Sequence, residues 1–161
     1  MIRNAMPADA KELCSIYNHY IEHTIITFEE ETLSVAEFEQ RIINISSKYP
    51  YIVYEEEGKI LGYAYASAWR TRPAYRFSVE TTIYLAPSAE GRGIGTMLYQ
   101  ELESQARTFG FHALLGCITI PNEKSIALHK KMGYKKVAEF EEVGFKFGQC
   151  LNVGFWEKIL K

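Results

Sequence analysis

The chain has 161 residues, 47% of them hydrophobic, which is the size of one domain and enough apolar material for a sizeable core. Its formal net charge is −2 with both signs mixed along the chain, which disfavours nucleic acid or an anionic membrane as a partner. No apolar run approaches the roughly 20 residues that a membrane span needs. The three cysteines, Cys14, Cys117 and Cys150, follow no CxxC spacing, so we expect no disulfide framework and no metal site, and a reducing cytoplasm suits them. We therefore expect a single domain over residues 1–161 that works on a small molecule.

The first half of the chain predicts a strand, two helices and a β-hairpin. Ile2-Arg3 is typical of a short strand, and Pro7 suits the first turn of a helix whose apolar face is Leu13, Ile16, Tyr17 and Tyr20. Ser34 and Glu37 form a capping box that begins a second helix, and residues 23–32 before it predict a loop. The β-type runs 51–54 and 60–69 flank Glu57-Gly58-Lys59, which indicates an antiparallel hairpin.

The second half predicts four more strands and two more helices. A strand over residues 76–85 leads through a glycine-rich turn into a helix over residues 94–109. An apolar run over residues 113–120 predicts a buried strand, Asn122 suits the cap of a helix that runs to Met132, and β-type runs over 134–143 and 148–159 finish the chain. The order is strand, two helices, three strands, helix, strand, helix and two strands, which predicts a mixed α+β domain.

The turn Glu90-Gly91-Arg92-Gly93-Ile94-Gly95 is the most informative segment, because it joins a predicted strand to a predicted helix. Its glycines permit positive φ and close backbone approach, and unpaired N–H groups at a helix N-terminus favour a phosphate or pyrophosphate. The turn matches neither of two familiar glycine motifs. A Walker loop would need a lysine where Thr96-Met97 stands, and a Rossmann fingerprint would need an acidic residue after the next strand, which this chain lacks. On the glycines alone, the anion site of a nucleotide-type cofactor and a plain surface turn are both open.

The element order, the glycine turn and the later segment Ala127-Leu128-His129-Lys130-Lys131-Met132-Gly133-Tyr134 resemble the GCN5-related N-acetyltransferases (GNAT). The resemblance covers essentially the whole chain and is sharpest for the phosphinothricin and methionine sulfoximine N-acetyltransferase branch. The strings that match this branch are Ile16-Tyr17-Asn18-His19-Tyr20, Thr27-Phe28-Glu29, Val79-Glu80-Thr81-Thr82-Ile83-Tyr84, Pro121-Asn122 with Leu128-His129, and Val153-Gly154-Phe155-Trp156. The resemblance implies the GNAT fold, a central, mostly antiparallel mixed sheet of about seven strands flanked by about four helices.

The resemblance also implies acetyl-CoA as the acetyl donor and assigns it a site. Backbone N–H groups of the glycine turn would cradle the pyrophosphate, the strand edge at Ile83-Tyr84-Leu85 would pair with the pantetheine arm, and Asn122 would reach the same arm. The complete implied set is Ile83, Tyr84, Leu85, Glu90, Gly91, Arg92, Gly93, Ile94, Gly95, Thr96, Asn122 and Ser125.

Glu80 and His129 are the implied catalytic residues. In this branch the glutamate that matches Glu80 is assigned to deprotonation of the substrate amine, whose pKa near about 10 makes a base necessary at neutral pH. The alternative is a solvated strand carboxylate. His129 stands where many relatives carry a tyrosine that protonates the CoA thiolate, and an imidazole can donate or accept near pH 7. An acid for sulfur, a second base for the amine and a plain surface or capping residue are all open for His129.

The acceptor side rests on five residues. The resemblance implies that Arg72, and second to it Arg70, bind the α-carboxylate of the substrate, for which a guanidinium fork is suited. Phe28, Tyr75 and Phe147 could wall the side-chain pocket or be ordinary core or rim aromatics.

The chain departs from the family pattern at Glu90, where Gln or Arg normally heads the turn, and a carboxylate there would repel a pyrophosphate unless Arg92 compensates. It departs from the branch at Phe147, Gln149, Cys150 and Asn152, which puts the substrate fit in question.

Together these features predict an acetyl-CoA-dependent N-acetyltransferase that acetylates the primary amine of a small amino acid or analogue by direct attack in a ternary complex, with no metal. One alternative is another acceptor, namely a protein N-terminus, a polyamine or an aminoglycoside. Another is a CoA-binding module without turnover, against which the presence of both Glu80 and His129 argues. Because dimers are common in this branch, a homodimer is compatible with the resemblance.

Overall fold

The computed structural model describes residues 1–161 as seven strands and four helices. The strands are β1 (Ile2–Asn4), β2 (Tyr51–Glu56), β3 (Lys59–Ala68), β4 (Ser78–Leu85), β5 (Ala113–Ile120), β6 (Lys135–Lys146) and β7 (Gln149–Ile159). The helices are α1 (Ala10–His23), α2 (Val35–Ser46), α3 (Ile94–Thr108) and α4 (Glu123–Lys131). No helix combines the length and the apolar character that crossing a membrane requires.

All seven strands form one sheet in the order β1-β2-β3-β4-β5-β7-β6. Every neighbouring pair is antiparallel except β4 and β5, which are parallel. The predicted mixed, mostly antiparallel sheet of seven strands with four helices is therefore confirmed.

Two hydrophobic clusters pack against the sheet, one on each face. Successive residues of β2 go to different clusters, since Ile52 belongs to the cluster that includes α3 and Val53 to the one that includes α1 and α2. Side chains of a strand alternate between the faces, so the sheet is covered by helices on both sides. The cluster that includes α3 also contains Val79 of β4 and Leu114 and Ile118 of β5, so it anchors both central strands.

The strands β4 and β5 pair only at their beginnings. Their register runs from Ser78 opposite Ala113 to Glu80 opposite Leu115 and then stops, while β4 remains paired with β3 as far as Leu85. Beyond Glu80 one edge of β4 therefore has no neighbouring strand, and the sheet is open at its centre. This fork is the feature of the fold that creates a site.

The helix ends follow the predicted local signals. The Ser34 side chain accepts a hydrogen bond from the Glu37 amide, and the Glu37 carboxylate accepts one from the Ser34 amide at 2.7 Å. Asn122 caps α4 by accepting from the Ser125 amide at 3.2 Å. Both sequence-based caps are confirmed.

Two predicted boundaries are wrong by a few residues. The third long strand begins at Ser78 and not at Arg76, because Pro73–Tyr75 forms a 3-10 turn whose cap is Arg76. The strand predicted over 134–143 continues to Lys146: its register shifts between Phe140 and Gly144, and pairing with β7 then resumes. A bulge in the middle of a strand breaks the alternation of side chains, and this break hid the continuation in the sequence.

Candidate active site

The fork between β4 and β5 opens into a cavity of about 210 Å³. Both predicted catalytic residues, Glu80 and His129, line it, together with Phe28 from the loop after α1. A second cavity of about 160 Å³ adjoins the first, and the two share the lining residues Ile26, Ile83, Asn122 and Ser125. The second cavity ends at Glu90 and Gly91 of the glycine turn. A continuous slot therefore leads from the glycine turn to Glu80 and His129.

The glycine turn is shaped as an anion-binding loop. Gly91 and Gly93 have φ of 73° and 78°, a left-handed conformation that favours glycine. Gly93 caps α3 and has no side chain, so the first amides of the helix have no side-chain acceptor. Gly95 has a different role: a Cβ at this position would lie 3.2 Å from Leu128, so its size sets the distance between α3 and α4. The predicted cradle thus has free N–H groups at the positive end of a helix dipole.

The charge of Glu90 is balanced, although not by the residue that the sequence suggested. The Glu90 carboxylate forms an ion pair with Lys124, in the first turn of α4 across the mouth of the second cavity. Arg92 is paired instead with Glu56 at the end of β2, with 2.7 Å between the guanidinium and the carboxylate. Compensation of Glu90 by Arg92 is therefore wrong, and Lys124 takes that role.

The unpaired edge of β4 forms one wall of the slot. Ile83 and Tyr84 line the larger cavity, and Ile83 and Leu85 line the smaller one. The carbonyl oxygen of Leu85 accepts a hydrogen bond from the Tyr20 hydroxyl at 2.6 Å, which ties the end of β4 to α1. A free strand edge offers backbone donors and acceptors to an extended ligand.

Glu80 is the half-buried carboxylate at the point where β4 and β5 separate. Burial raises the pKa of Glu80 above its ordinary value, and no other group contributes to that shift. A carboxylate without a compensating partner is a stronger base than one in water, because its charged form is poorly solvated. The alternative of a solvated strand carboxylate does not fit this position.

His129 is buried, with only 3% of its surface exposed. Its Nδ1 lies 2.7 Å from the carbonyl oxygen of Ser125, and its Nε2 lies 3.0 Å from the hydroxyl of Tyr99 on α3. Burial lowers the pKa of His129, and the hydrogen bond to the Ser125 carbonyl acts in the opposite direction. The reading of His129 as a surface or capping residue is therefore wrong, since the ring faces the cavity and is fixed at both nitrogens.

The loop between α1 and α2 carries Phe28 into the cavity wall. Thr27 anchors the loop, since its hydroxyl lies 2.8 Å from the Tyr17 hydroxyl and its carbonyl oxygen accepts from Nζ of the buried Lys146 at 2.8 Å. The Phe28 ring packs directly over Gly144 of β6, where any Cβ would collide with it. Of the three predicted pocket aromatics, Phe28 is the one that the structure brings to the cavity.

The other predicted acceptor residues lie outside the lining of either cavity. Arg70, Arg72 and Tyr75 are exposed in the segment between β3 and β4, and Arg70 stacks on Trp69 with 5.3 Å from its guanidinium carbon to the ring centroid. Phe147 is 58% exposed at the turn between β6 and β7. Within one chain, none of these four residues lies beside Glu80.

Sequence reasoning missed two residues that the fold places at the site. Tyr99 lies on the buried face of α3, where its helical spacing is that of an ordinary core aromatic. Lys124 is an exposed lysine whose role depends on Glu90, a residue far from it in sequence. No local motif marks either residue, because both act through contacts between elements.

The comparison with known proteins agrees with this geometry. The acetyltransferase (GNAT) domain family matches residues 2–152. The chain belongs to this family of acetyltransferases.

Two curated relatives lie in the branch that the sequence indicated. A phosphinothricin N-acetyltransferase of Streptomyces coelicolor is 39% identical over 163 residues, covering 99% of this chain and 95% of the relative. An L-methionine sulfoximine/L-methionine sulfone acetyltransferase of Salmonella typhimurium is 34% identical over 160 residues, covering 97% and 92%.

Two solved structures are similar over almost the whole chain. A phosphinothricin acetyltransferase of Sinorhizobium meliloti, crystallised with acetyl-CoA, has a TM-score of 0.95 at 39% identity, covering 99% of this chain and 88% of that one. A ribosomal-protein-alanine N-acetyltransferase of Brucella melitensis has a TM-score of 0.97 at 36% identity, covering 99% of each chain.

Proposed function

We propose that the protein transfers the acetyl group of acetyl-CoA to the α-amine of a small amino acid or analogue, of the phosphinothricin or methionine sulfoximine type. The observation that carries this proposal is the continuous slot, which has an anion cradle at one end and Glu80 with His129 at the other. The names of the two curated relatives support the choice of acceptor.

The slot fits acetyl-CoA in three ways. The amides from Arg92 to Thr96 suit the pyrophosphate, and the free edge of β4 at Ile83–Leu85 suits the amide-bearing pantetheine arm. Asn122 and Ser125 line both cavities and would contact the same arm from the opposite wall. The similar structure from Sinorhizobium meliloti holds acetyl-CoA, which supports the same donor here.

The residues at the inner end of the slot then have distinct tasks. When bound, the donor supplies an activated acetyl thioester. Glu80 takes a proton from the substrate ammonium, directly or through a water molecule, so that the neutral amine is available for attack. The two adjoining cavities offer separate space for the donor and the acceptor, which supports transfer in a ternary complex without an acetylated enzyme. Initial rates at varied concentrations of both substrates should give intersecting double-reciprocal lines; parallel lines would contradict the ternary complex.

On the acceptor side we propose Phe28 as a wall of the side-chain pocket and Arg72, with Arg70, as the carboxylate-binding group. Arg72 is exposed and begins the turn that leads to β4, so it can reach a substrate only at the rim of the site. Arg72→Ala should raise the KM for an amino-acid acceptor and leave the KM for acetyl-CoA unchanged. Arg76→Ala, in the same segment, is the matched control, and equal effects of the two substitutions would rule out a role for Arg72.

A second candidate acceptor is the N-terminal amine of a protein. The high similarity to the ribosomal-protein-alanine N-acetyltransferase of Brucella melitensis favours it specifically. In this case the open rim near Arg70, Arg72 and Tyr75 would receive a peptide instead of a free amino acid.

We also propose that the protein works in the cytoplasm, without nucleic acid or membrane as a partner.

We further propose that the protein forms a homodimer through the hairpin of β6 and β7. β6 is an edge strand, and it exposes the apolar side chains Val137, Phe140, Val143 and Phe145, with Phe147 at its end. Exposed apolar groups on an edge strand favour association. Phe145→Asp should convert a dimer into a monomer in light scattering, whereas Ile43→Asp on α2 should not. A monomeric wild type would contradict the homodimer.

An acceptor panel tests the proposed function. Release of free CoA from acetyl-CoA is measured with phosphinothricin, methionine sulfoximine, a peptide beginning with alanine, a polyamine and an aminoglycoside. The account expects the highest kcat/KM for one of the first two. Preference for the peptide would establish the second candidate, and release that no amine accelerates would show a binding module without turnover.

A further inference from the structure

Each ring nitrogen of His129 has a partner of different chemistry. Nδ1 lies 2.7 Å from the carbonyl oxygen of Ser125, one turn earlier in α4, while the Ser125 hydroxyl is farther away at 3.4 Å. A carbonyl oxygen only accepts hydrogen bonds, so Nδ1 carries a proton whether the ring is neutral or charged. The state of the ring is therefore decided at Nε2, 3.0 Å from the Tyr99 hydroxyl.

The surroundings of Nε2 favour the neutral ring. Tyr99 is fully buried, and burial raises the pKa of its hydroxyl, so the phenol keeps its proton and has it to donate. The imidazole is nearly inaccessible to water, which disfavours the imidazolium. A neutral ring with its proton on Nδ1 leaves a lone pair on Nε2, which accepts from the Tyr99 hydroxyl.

Only burial and the hydrogen bond to the Ser125 carbonyl shift the pKa of His129, and no charged group contributes to that shift. From β4 and β5 the titratable groups that line the same cavity are Glu80, Tyr84 and Cys117. On α3, Glu103 is paired with Lys158 at 2.7 Å. The neighbours of His129 on α4, Lys130 and Lys131, are exposed, and the hydroxyl of Tyr134, whose ring lies edge-on to the imidazole, lies 3.3 Å from Thr81.

We propose that Tyr99, together with the Ser125 carbonyl, holds His129 as the neutral Nδ1–H tautomer, so that Nε2 enters the reaction as a proton acceptor reached through the Tyr99 hydroxyl. The proposal rests on the proposed function and fixes the order of the two roles that the residue type of His129 leaves open: the ring first accepts a proton and only then has one to give. In its resting state His129 has no proton on Nε2 to give to a thiolate.

The proton count of the reaction is consistent with this order. After Glu80 has taken the first proton from the ammonium, the neutral amine attacks; as the C–N bond forms and the C–S bond breaks, the nitrogen loses a second proton and the sulfur gains one. The amine's proton reaches Nε2 by way of the Tyr99 hydroxyl, which passes its own proton to the ring as it receives another. The reverse movement then supplies the sulfur, and no external acid is needed.

The tautomer is directly observable. Long-range ¹H–¹⁵N correlation spectra of the labelled protein show the two ring nitrogens of each of its four histidines, and His129→Gln assigns the signals of His129. At pH 8 we expect a protonated Nδ1 and an unprotonated Nε2. A wild-type spectrum with the proton on Nε2 would overturn the proposal.

Tyr99→Phe removes the donor, and Tyr134→Phe is the matched control, because it removes a hydroxyl beside the same ring that does not contact Nε2. Tyr99→Phe should keep the proton on Nδ1, which the Ser125 carbonyl still accepts, and raise the titration midpoint of His129 by about one pH unit, the effect of one lost hydrogen bond to the neutral form. The kcat should fall at every pH, because the proton no longer has a hydroxyl to pass through, and the acid limb of its pH profile should move by the same amount, with the Kd for acetyl-CoA unchanged. Equal shifts in both variants would overturn the proposal.

These outcomes are separable from those of the proposed function. A wild-type protein that never releases CoA in response to an amine overturns the proposed function and the proton-acceptor role together. The assignment of His129 as the neutral Nδ1–H tautomer is overturned only by the spectra. If Tyr99→Phe does not fold, as judged by its thermal melting, the wild-type spectrum alone decides.

Discussion

Gly116 on β5 lies directly beneath the His129 imidazole: a Cβ at position 116 would lie 2.5 Å from Nε2 and 2.6 Å from Cδ2 of the ring. The ring is thus seated on bare backbone on one side and held by Tyr99 and Ser125 at its nitrogens. A buried strand glycine at this point sets the position of the proposed proton acceptor.

Gly116→Ala should therefore displace the imidazole and disable the enzyme about as strongly as His129→Ala does. We expect a loss of about 1–3 kcal/mol in the free energy of unfolding, the usual cost of overpacking a tight site. In a His129→Ala background the same substitution should cost much less, because the space is then available. Urea unfolding of the wild type, the two single variants and the double variant measures the free energy of unfolding of each. An equal cost of Gly116→Ala in both backgrounds would show that the imidazole is not the obstacle.

Removal of the carboxylate at position 80 should reduce catalysis. Glu80→Gln keeps the shape of the side chain and removes the base, so kcat/KM should fall by about 10²-fold or more, most strongly at low pH where the substrate amine is most fully protonated. The exposed Glu141→Gln is the matched control and should behave as wild type. Wild-type rates for Glu80→Gln across the pH profile would exclude Glu80 as the base.

The same substitution should stabilise the folded protein. Burial raises the pKa of Glu80 in the folded state, so ionisation of this group costs stability as the pH rises through the raised value, whereas the unfolded chain ionises at the ordinary value. Glu80→Gln should have a higher Tm than wild type at pH 8, and the difference should vanish toward pH 4. A higher Tm for the wild type at pH 8 would mean that Glu80 has a stabilising partner.

The ion pair between Glu90 and Lys124 should tune donor binding. Lys124→Met leaves the Glu90 carboxylate uncompensated beside the proposed pyrophosphate site, so the Kd for acetyl-CoA should rise about threefold at low salt, the scale of an exposed charge pair. The effect should fade as salt is added, because exposed charges are screened. The double variant Glu90→Gln, Lys124→Met should bind nearly as wild type does. Titration calorimetry at two salt concentrations measures the Kd for acetyl-CoA of the wild type, Lys124→Met and the double variant. An unchanged Kd for Lys124→Met would show that this ion pair does not influence donor binding.

Local signals in the sequence predicted the elements that local chemistry determines. The capping box at Ser34 and Glu37, the cap at Asn122 and the positive φ of Gly91 and Gly93 each depend on a few adjacent residues, and all are as predicted. The strand register is less local. The bulge between Phe140 and Gly144 depends on pairing with β7, and the β6 run was consequently predicted too short.

The site was predicted only as far as the family resemblance reached. Glu80, His129 and Asn122 line the slot, and the glycine turn reaches it at Glu90 and Gly91, while their roles toward acetyl-CoA stay predictions. Tyr99 and Lys124 were missed, because their partners His129 and Glu90 are about 30 residues distant. Arg70 and Arg72 were placed at the acceptor by resemblance, and one chain alone does not bring them to the cavity.

Amine-dependent acetyl transfer at the slot is observed most directly by product analysis. Acetyl-CoA is incubated with methionine sulfoximine or phosphinothricin and either wild type or Glu80→Gln, and the acceptor is examined by mass spectrometry. We expect one acetyl group on the α-amine of the acceptor, formed in an amount equal to that of free CoA, and far slower formation with Glu80→Gln. Free CoA without an acetylated amine, or equal product from both proteins, would contradict it.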